Sequence, residues 1–159
     1  MRVDGIQIRP AEDADRLPLA RIFAAVAEER DGIATEPPVD VEERAATWTL
    51  DGTLVAVVDG RIVGSIHVED SKHGFGDIGM AVSREWRGRG VGSALMAAAI
   101  DDARRRGLHK LALAVFPHND AGIALYRKFG FVEEGRLVEH CRRQSGELWD
   151  VVQMGLRLA

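Results

Sequence analysis

Between Val82 and Leu95 the chain reads Val82-Ser83-Arg84-Glu85-Trp86-Arg87-Gly88-Arg89-Gly90-Val91-Gly92-Ser93-Ala94-Leu95, with glycine at alternate positions just ahead of an alanine-rich run. Glycines so placed let the backbone adopt conformations closed to other residues and approach a neighbour or ligand closely. Behind them, Ala94, Leu95, Ala98 and Ala99 fall three, four, seven and eight residues after Val91, the apolar stripe of a helix running to Arg104-Arg105-Arg106-Gly107. Ahead of them, Asp77 to Val82 reads as a short strand. The segment is therefore strand, loop and helix start, and the first-turn N–H groups with the helix dipole make such a junction attractive to an anion. Arg87 and Arg89 add positive charge, which favours a phosphate or pyrophosphate over a carboxylate. The ordinary alternative is a tight turn between solvated arginines. Neither common nucleotide motif fits: the Gly-Lys ending of a phosphate loop is absent, Ser93 stands where a dinucleotide loop needs glycine or alanine, and no acid lies near Leu108 for a ribose.

The rest of the chain alternates strand and helix patterns. Ile6 and Ile8 alternate with polar neighbours across Gly5 to Arg9, a strand signal, and Leu17, Ala20, Ile22, Phe23, Ala24 and Val26 give Ala11 to Glu29 helical spacing. Pro37-Pro38 interrupts before a second amphipathic helix, Val41 to Trp48. Thr53 to Val58 and Arg61 to Val68 are β-branched runs joined by Asp59-Gly60, a two-residue hairpin signal. Lys110 to Phe116 reads as a buried strand, Asp120 to Phe129 as a helix stopped by Gly130, and Phe131 to Leu137 and Leu148 to Arg157 as two final strands. This order predicts a single α/β (α+β) domain over residues 1–159, a mixed central sheet of about six to seven strands with helices on both faces.

Composition narrows the function classes. A chain of 159 residues with 46% hydrophobic content can bury one core, and a net charge of −4 with basic residues scattered among acids argues against nucleic-acid binding. Arg104 to Arg106 read as complements to a helix C-terminus. Cys141 is the lone cysteine, and no Cys/His set has zinc-ligand spacing, so neither a disulfide nor a metal is expected and a cytoplasmic setting fits. The longest apolar stretches, Leu95 to Ile100 and Leu111 to Phe116, are too short to cross a bilayer. The start, Met1-Arg2-Val3-Asp4-Gly5, meets an acid before any apolar run, unlike a signal peptide.

A second constellation is Asn119-Asp120-Ala121-Gly122-Ile123-Ala124-Leu125-Tyr126-Arg127-Lys128-Phe129-Gly130-Phe131. Asn119 and Tyr126 are seven residues apart, nearly two helical turns, so their polar tips share one face with Gly122 between them. Asn119 is either a helix cap or a ligand contact, and Tyr126 either a core-edge residue or a chemical group.

Together the two segments resemble the GNAT acetyltransferase superfamily. Arg87-Gly88-Arg89-Gly90-Val91-Gly92 is similar to its [RQ]-x-x-G-x-[GA] loop, and Asn119 with Leu125-Tyr126-Arg127-Lys128-Phe129-Gly130-Phe131 to its Asn…Leu-Tyr-x-x-x-Gly-Phe helix. The resemblance spans essentially the whole chain and implies acetyl-CoA as co-substrate. It implies that the amides of Arg87 to Gly92 hold the pyrophosphate, Asn119 the pantetheine arm, and Met80-Ala81-Val82 pair with that arm like an added strand. Backbone N–H groups there would polarise the thioester carbonyl, a bound amine would attack it directly, and Tyr126 would serve the departing thiolate. The proton acceptor is sought among Asp77, Glu69 and His67, Asp77 foremost, with His118 behind them. Members that acetylate a ribosomal protein carry a glutamate five residues before the asparagine, where this chain has Ala114.

Deprotonating a lysine-like amine of pKa about 10.4 at neutral pH costs roughly 4.6 kcal/mol, against about 1 kcal/mol for an α-amine near 7.8. A sparsely furnished base therefore points to a small amino-acid-like amine. The tail from Arg143 to Met154 resembles the hairpin of branches acting on phosphinothricin-like amino acids, polyamines or ribosomal proteins, and Trp48 lies in the early helices that wall the family's acceptor pocket. A homodimer is implied by resemblance. The alternatives are a non-catalytic acyl-CoA-binding module of the same fold and a protein or peptide N-acetyltransferase.

Overall fold

Asp59 and Gly60 both take left-handed backbone angles, φ 49° and 74°, as a tight hairpin with the twist of its strands requires. They join β2 (Thr53–Val58) to β3 (Arg61–Asp70). In the computed structural model, which describes residues 5–158, this hairpin lies within one seven-stranded sheet. The N-terminal reading of Met1 to Asp4 lies outside the described residues. Before the hairpin come β1 (Gln7–Pro10), α1 (Arg16–Glu28) and α2 (Val41–Thr47). After it come β4 (Phe75–Val82), α3 (Val91–Arg105), β5 (Lys110–Val115), α4 (Asp120–Lys128), β6 (Val132–Arg142) and β7 (Leu148–Arg157). The sheet order is β1-β2-β3-β4-β5-β7-β6, with β4 and β5 parallel and the other neighbours antiparallel. Among the described residues, no helix is long and apolar enough to cross a membrane.

The two largest departures from the expected boundaries each have a local reason. The first helix begins at Arg16, not Ala11, because Asp15 accepts from the Glu12 backbone N–H at 2.7 Å and from both Arg9 nitrogens at 2.7 and 3.1 Å. Those bonds wind Asp13–Asp15 into a single 3-10 turn instead. At the other end β6 continues past Leu137 to Arg142 through a bulge, with Glu139 at φ 49° and its N–H donating to Asp150 at 2.7 Å. The polar residues of a bulged edge carry no alternation, which is why the pattern hid the extension.

The core lies between the sheet and α3, which buries Val91, Leu95, Met96, Ala99, Ile100 and Ala103. The contact is close: a Cβ at Gly64 would sit 3.2 Å from Val91 and 3.3 Å from Leu95. Helices α1 and α2 cover the opposite face, where Phe23 and Trp48 meet edge-on with centroids 6.1 Å apart.

A cleft and a tether across it set the functional region apart from the core. Strands β4 and β5 pair over only three registers, Phe75 with Lys110, Gly76 with Leu111 and Asp77 with Ala112. Beyond Asp77, β4 has a strand neighbour on the β3 side alone, and β5 on the β7 side alone. The sheet thus opens into a cleft. Across its mouth runs the segment after α1, held by the turn between β6 and β7. The buried Arg143 donates to the carbonyls of Ala34 and Arg30, both at 3.0 Å, and its guanidinium lies 4.4 Å from the Trp149 ring centroid. Next to it, Gln144 donates to the Pro37 carbonyl and accepts from Arg30, both at 2.8 Å.

Replacing Arg143 with Met removes the donors to two carbonyls while keeping the bulk. Arg143→Met is expected to lower stability by about 2–4 kcal/mol. Urea unfolding measures the loss, and faster proteolysis within the Arg30 to Pro38 segment locates it.

Candidate active site

The cleft holds a cavity of about 660 Å³. Its floor is β4 at Met80, Ala81 and Val82, one wall is the Arg87–Ser93 turn, and the other is the start of α4 with Asn119, Gly122, Leu125 and Tyr126. The glycine loop and the asparagine–tyrosine helix, 27 residues apart in sequence from Gly92 to Asn119, thus face each other across one opening.

Each glycine has its own reason. Gly88 and Gly90 take φ 71° and 91°, where side chains are strained, and Gly90 is the N-cap of α3 without a side-chain cap. The first N–H groups of that helix are therefore left to solvent or a ligand. Gly92 has ordinary angles but lies where a Cβ would come 3.2 Å from Leu125. Gly122 is seated under Asn119, whose Oδ1 accepts from its N–H at 3.0 Å. A Cβ there would fall 2.7 Å from the asparagine amide. Asn119 is thus both a cap and part of the cavity wall.

Of the two loop arginines, only Arg87 lines the cavity. It is held in a two-bond pair with Glu29, at 2.6 and 2.8 Å, and its Nε donates to the Val82 carbonyl at 3.1 Å. This pair keeps the Glu29 carboxyl below its usual range. Arg89 instead stacks over Trp86, 4.8 Å from the ring centroid, and Val91 points into the core. Of the two charges that the sequence brings to the loop, one is thus ion-paired with Glu29 and the other lies over Trp86. Tyr126 is largely buried beside Phe131, and desolvation raises its phenol above the ordinary range, so it is protonated at neutral pH. Its hydroxyl has no hydrogen-bond partner among the described residues.

A second cavity, of about 330 Å³, opens on the α1–α2 side and shares Ile33, Met80 and Ala81 with the first. It is lined by Phe23, Arg44 and Trp48 from the helices and by Ser65, His67 and Glu69 from β3. Asp77 pairs in register with Glu69 but lines neither cavity. His118 lines the first cavity, with Nε2 2.9 Å from the Asp31 carbonyl and its ring stacked on Phe116.

The protonation of His67 follows from its neighbours. The buried Thr53 hydroxyl donates its single proton to the Thr49 carbonyl at 2.8 Å, yet Thr53 Oγ1 also lies 2.9 Å from His67 Nδ1. Nδ1 must therefore be the donor, leaving Nε2 as the nitrogen with a lone pair. Burial, opposed by Glu69 and Asp70 and aided by Arg44, holds this imidazole below its usual range. Sequence reasoning placed His67 among the candidates but missed Thr53, Glu29 and the Ile33 segment, none of which has a local signature.

The chain matches the Acetyltransferase (GNAT) family over residues 19–131. It is 32% identical over 157 residues to the L-amino acid N-acetyltransferase AaaT of Escherichia coli (strain K12), covering 94% of this chain and 96% of that protein. It is 29% identical over 162 residues to the L-methionine sulfoximine/L-methionine sulfone acetyltransferase of Pseudomonas aeruginosa, covering 95% and 94%. The crystal structure of ribosomal-protein-alanine N-acetyltransferase from Brucella melitensis superposes with a TM-score of 0.86 at 31% identity, over 96% of this chain and 99% of that one. With the family match spanning most of the chain and full-length relatives that are N-acetyltransferases, the chain belongs to the acetyltransferase (GNAT) family.

Proposed function

We propose that this enzyme transfers the acetyl group of acetyl-CoA directly to the primary amine of a small, amino-acid-like acceptor. The observation that carries this is the pair of cavities meeting at Ile33, Met80 and Ala81: a donor bound on one side and an amine on the other would reach each other across β4. The family uses acetyl-CoA, and the residues present fit it. The uncapped N–H groups of Val91, Gly92 and Ser93, with Gly88 and Gly90 keeping the approach clear, suit a diphosphate. The side of β4 without a strand partner at Met80 to Val82 suits an extended amide-bearing arm, and Asn119 and Gly122 border the same passage. Bound there, the co-substrate supplies a thioester carbon activated toward amines.

Within this site Tyr126 donates a hydrogen bond to the leaving sulfur. Its raised phenol keeps the proton available and makes hydrogen bonding, rather than full transfer, the natural role. Among the candidate bases, His67 lines the acceptor cavity as a neutral imidazole with its Nε2 lone pair defined by Thr53, whereas Asp77 stands outside both cavities. His67 is therefore the proton acceptor of this proposal. The acceptor reading draws on the relative named for L-amino acids. Two copies would pair through the late strands, where edge strand β6 exposes Val132 and Val138. The lone Cys141 fits the cytoplasm.

Release of free thiol from acetyl-CoA in the presence of L-amino acids, followed by mass detection of the acetylated product, tests the proposal. Thermal stabilisation by acetyl-CoA with no amine-dependent thiol release would favour an acyl-CoA-binding module instead.

Tyr126→Phe is expected to lower kcat by about 10²-fold at saturating substrates. Wild-type turnover in that variant would remove the phenol from the mechanism.

A neutral His67 is the active form, and its pKa is depressed, so the acid limb of kcat/KM should lie below the ordinary imidazole value of about 6.5. Activity is full above that limb and falls as acid protonates Nε2. His67→Gln should abolish the limb and lower kcat, whereas Thr53→Val should shift it by releasing the Nδ1 proton from its acceptor. A pH–rate profile of the three proteins decides.

A further inference from the structure

We propose that Arg44 is the carboxylate receptor of the acceptor cavity, so that the enzyme selects α-amino acids by holding both ends of the zwitterion. This rests on the acetyl-acceptor reading of that cavity.

Arg44 is held as a surface arginine seldom is. Its guanidinium carbon lies 4.0 Å from the centroid of Phe23 and 4.9 Å from that of Trp48. The Trp48 carbonyl is in turn fixed by Arg16, whose Nη1 donates to it at 2.7 Å and to the Ala45 carbonyl at 3.2 Å. Such ring contacts engage the positive charge and occupy none of the oxygen-acceptor partners that the N–H donors of a guanidinium can take. Those donors have no hydrogen-bond or ion-pair partner among the described residues, although Glu42 and Glu43 precede Arg44 on the same helix. A planar fork held in place with its donors unused matches the geometry of a carboxylate, which accepts two parallel N–H bonds.

The cavity carries a positive and a negative side chain on two different elements. Arg44 belongs to α2, while Glu69 and His67 come from β3 across the opening, and none of the three is ion-paired among the described residues. An α-amino acid carries its carboxylate and its amine on the same carbon, so the carboxylate can meet Arg44 while the nitrogen faces His67 and Glu69. A polyamine would set a cation against Arg44, and a peptide N-terminus has no carboxylate next to its amine. The charge pattern therefore favours the free amino acid over both.

The decisive quantity is the ratio of kcat/KM for L-methionine to that for L-methioninamide, with L-phenylalanine and its amide as a second pair. The amide removes the negative charge, and the accompanying change in amine basicity cancels when variants are compared. Arg44→Gln is expected to lower the acid-to-amide ratio about tenfold or more, through KM for the acid, and Arg44→Lys to recover part of it. Matching circular dichroism and unfolding temperatures establish that the variants fold. An unchanged ratio in Arg44→Gln, with both compounds still acetylated, overturns the assignment while leaving the acetyl-acceptor reading intact. Failure of the wild-type enzyme to acetylate either member of both pairs overturns that reading and this assignment with it.

Discussion

The separation of β4 from β5 is the constraint on which the rest of the molecule depends. After three paired registers the parallel strands part, and the polar edge of β4 from Ile78 onward is left without the neighbour that a continuous sheet would give it. Unpaired backbone donors and acceptors are costly in a dry interior, so the gap must stay open to water or be filled by something that can hydrogen-bond. The junction into α3 flanks this gap on one side and the start of α4 on the other. Gly92 and Gly122 let Leu125 and Asn119 pack closely beside the gap, and Gly88 and Gly90 take backbone angles that side chains rarely adopt. Packing on the far side of β3, against Leu95 and Met96, holds the strands rigid enough for the opening to persist.

The cavity on the α1–α2 side is built on different principles. Its walls come from α1, α2 and the segment that follows α1; α1 buries Leu19, Ala20, Val26 and Ala27, while Phe23, Arg44 and Trp48 cluster on one another at the opening. What it holds is polar and oriented: Thr49, Thr53 and His67 form a hydrogen-bond chain with one direction, because a threonine hydroxyl has a single proton to give. A short chain of that kind sets the imidazole tautomer without any charged residue. It also explains how a centre with no buried carboxylate partner for its histidine can still present a defined lone pair.

The walls of the first cavity were legible in the sequence because local rules act on contiguous residues there. Positive φ demands glycine at positions 88 and 90, a helix start needs Asn119 or a similar cap, and helical spacing puts Tyr126 on the same face. The hairpin at Asp59-Gly60 and the apolar stripe of α3 were readable for the same reason. What escaped was long-range. Glu29 meets Arg87 across 58 positions and Arg143 reaches Arg30 across 113, and neither residue type nor spacing foretells such a meeting. Asp77 looked suitable because it sits on a central strand. Its register beside Glu69 nonetheless leaves it outside the openings, since the place where two strands diverge is a property of the assembled sheet.

Strand order carries one more implication. β7 is last of the described strands in sequence, yet it lies inside the sheet, between β5 and β6, and the turn leading into it is what pins the segment after α1. During synthesis, β4, α3, β5 and α4 around the first cavity emerge before β7 joins the sheet. A nascent chain that has reached α4 still bears an open edge on β5 and lacks the contacts that pin the Arg30 to Pro37 segment beside both cavities. The β6–β7 hairpin must therefore be seated before the segment between the two cavities is pinned.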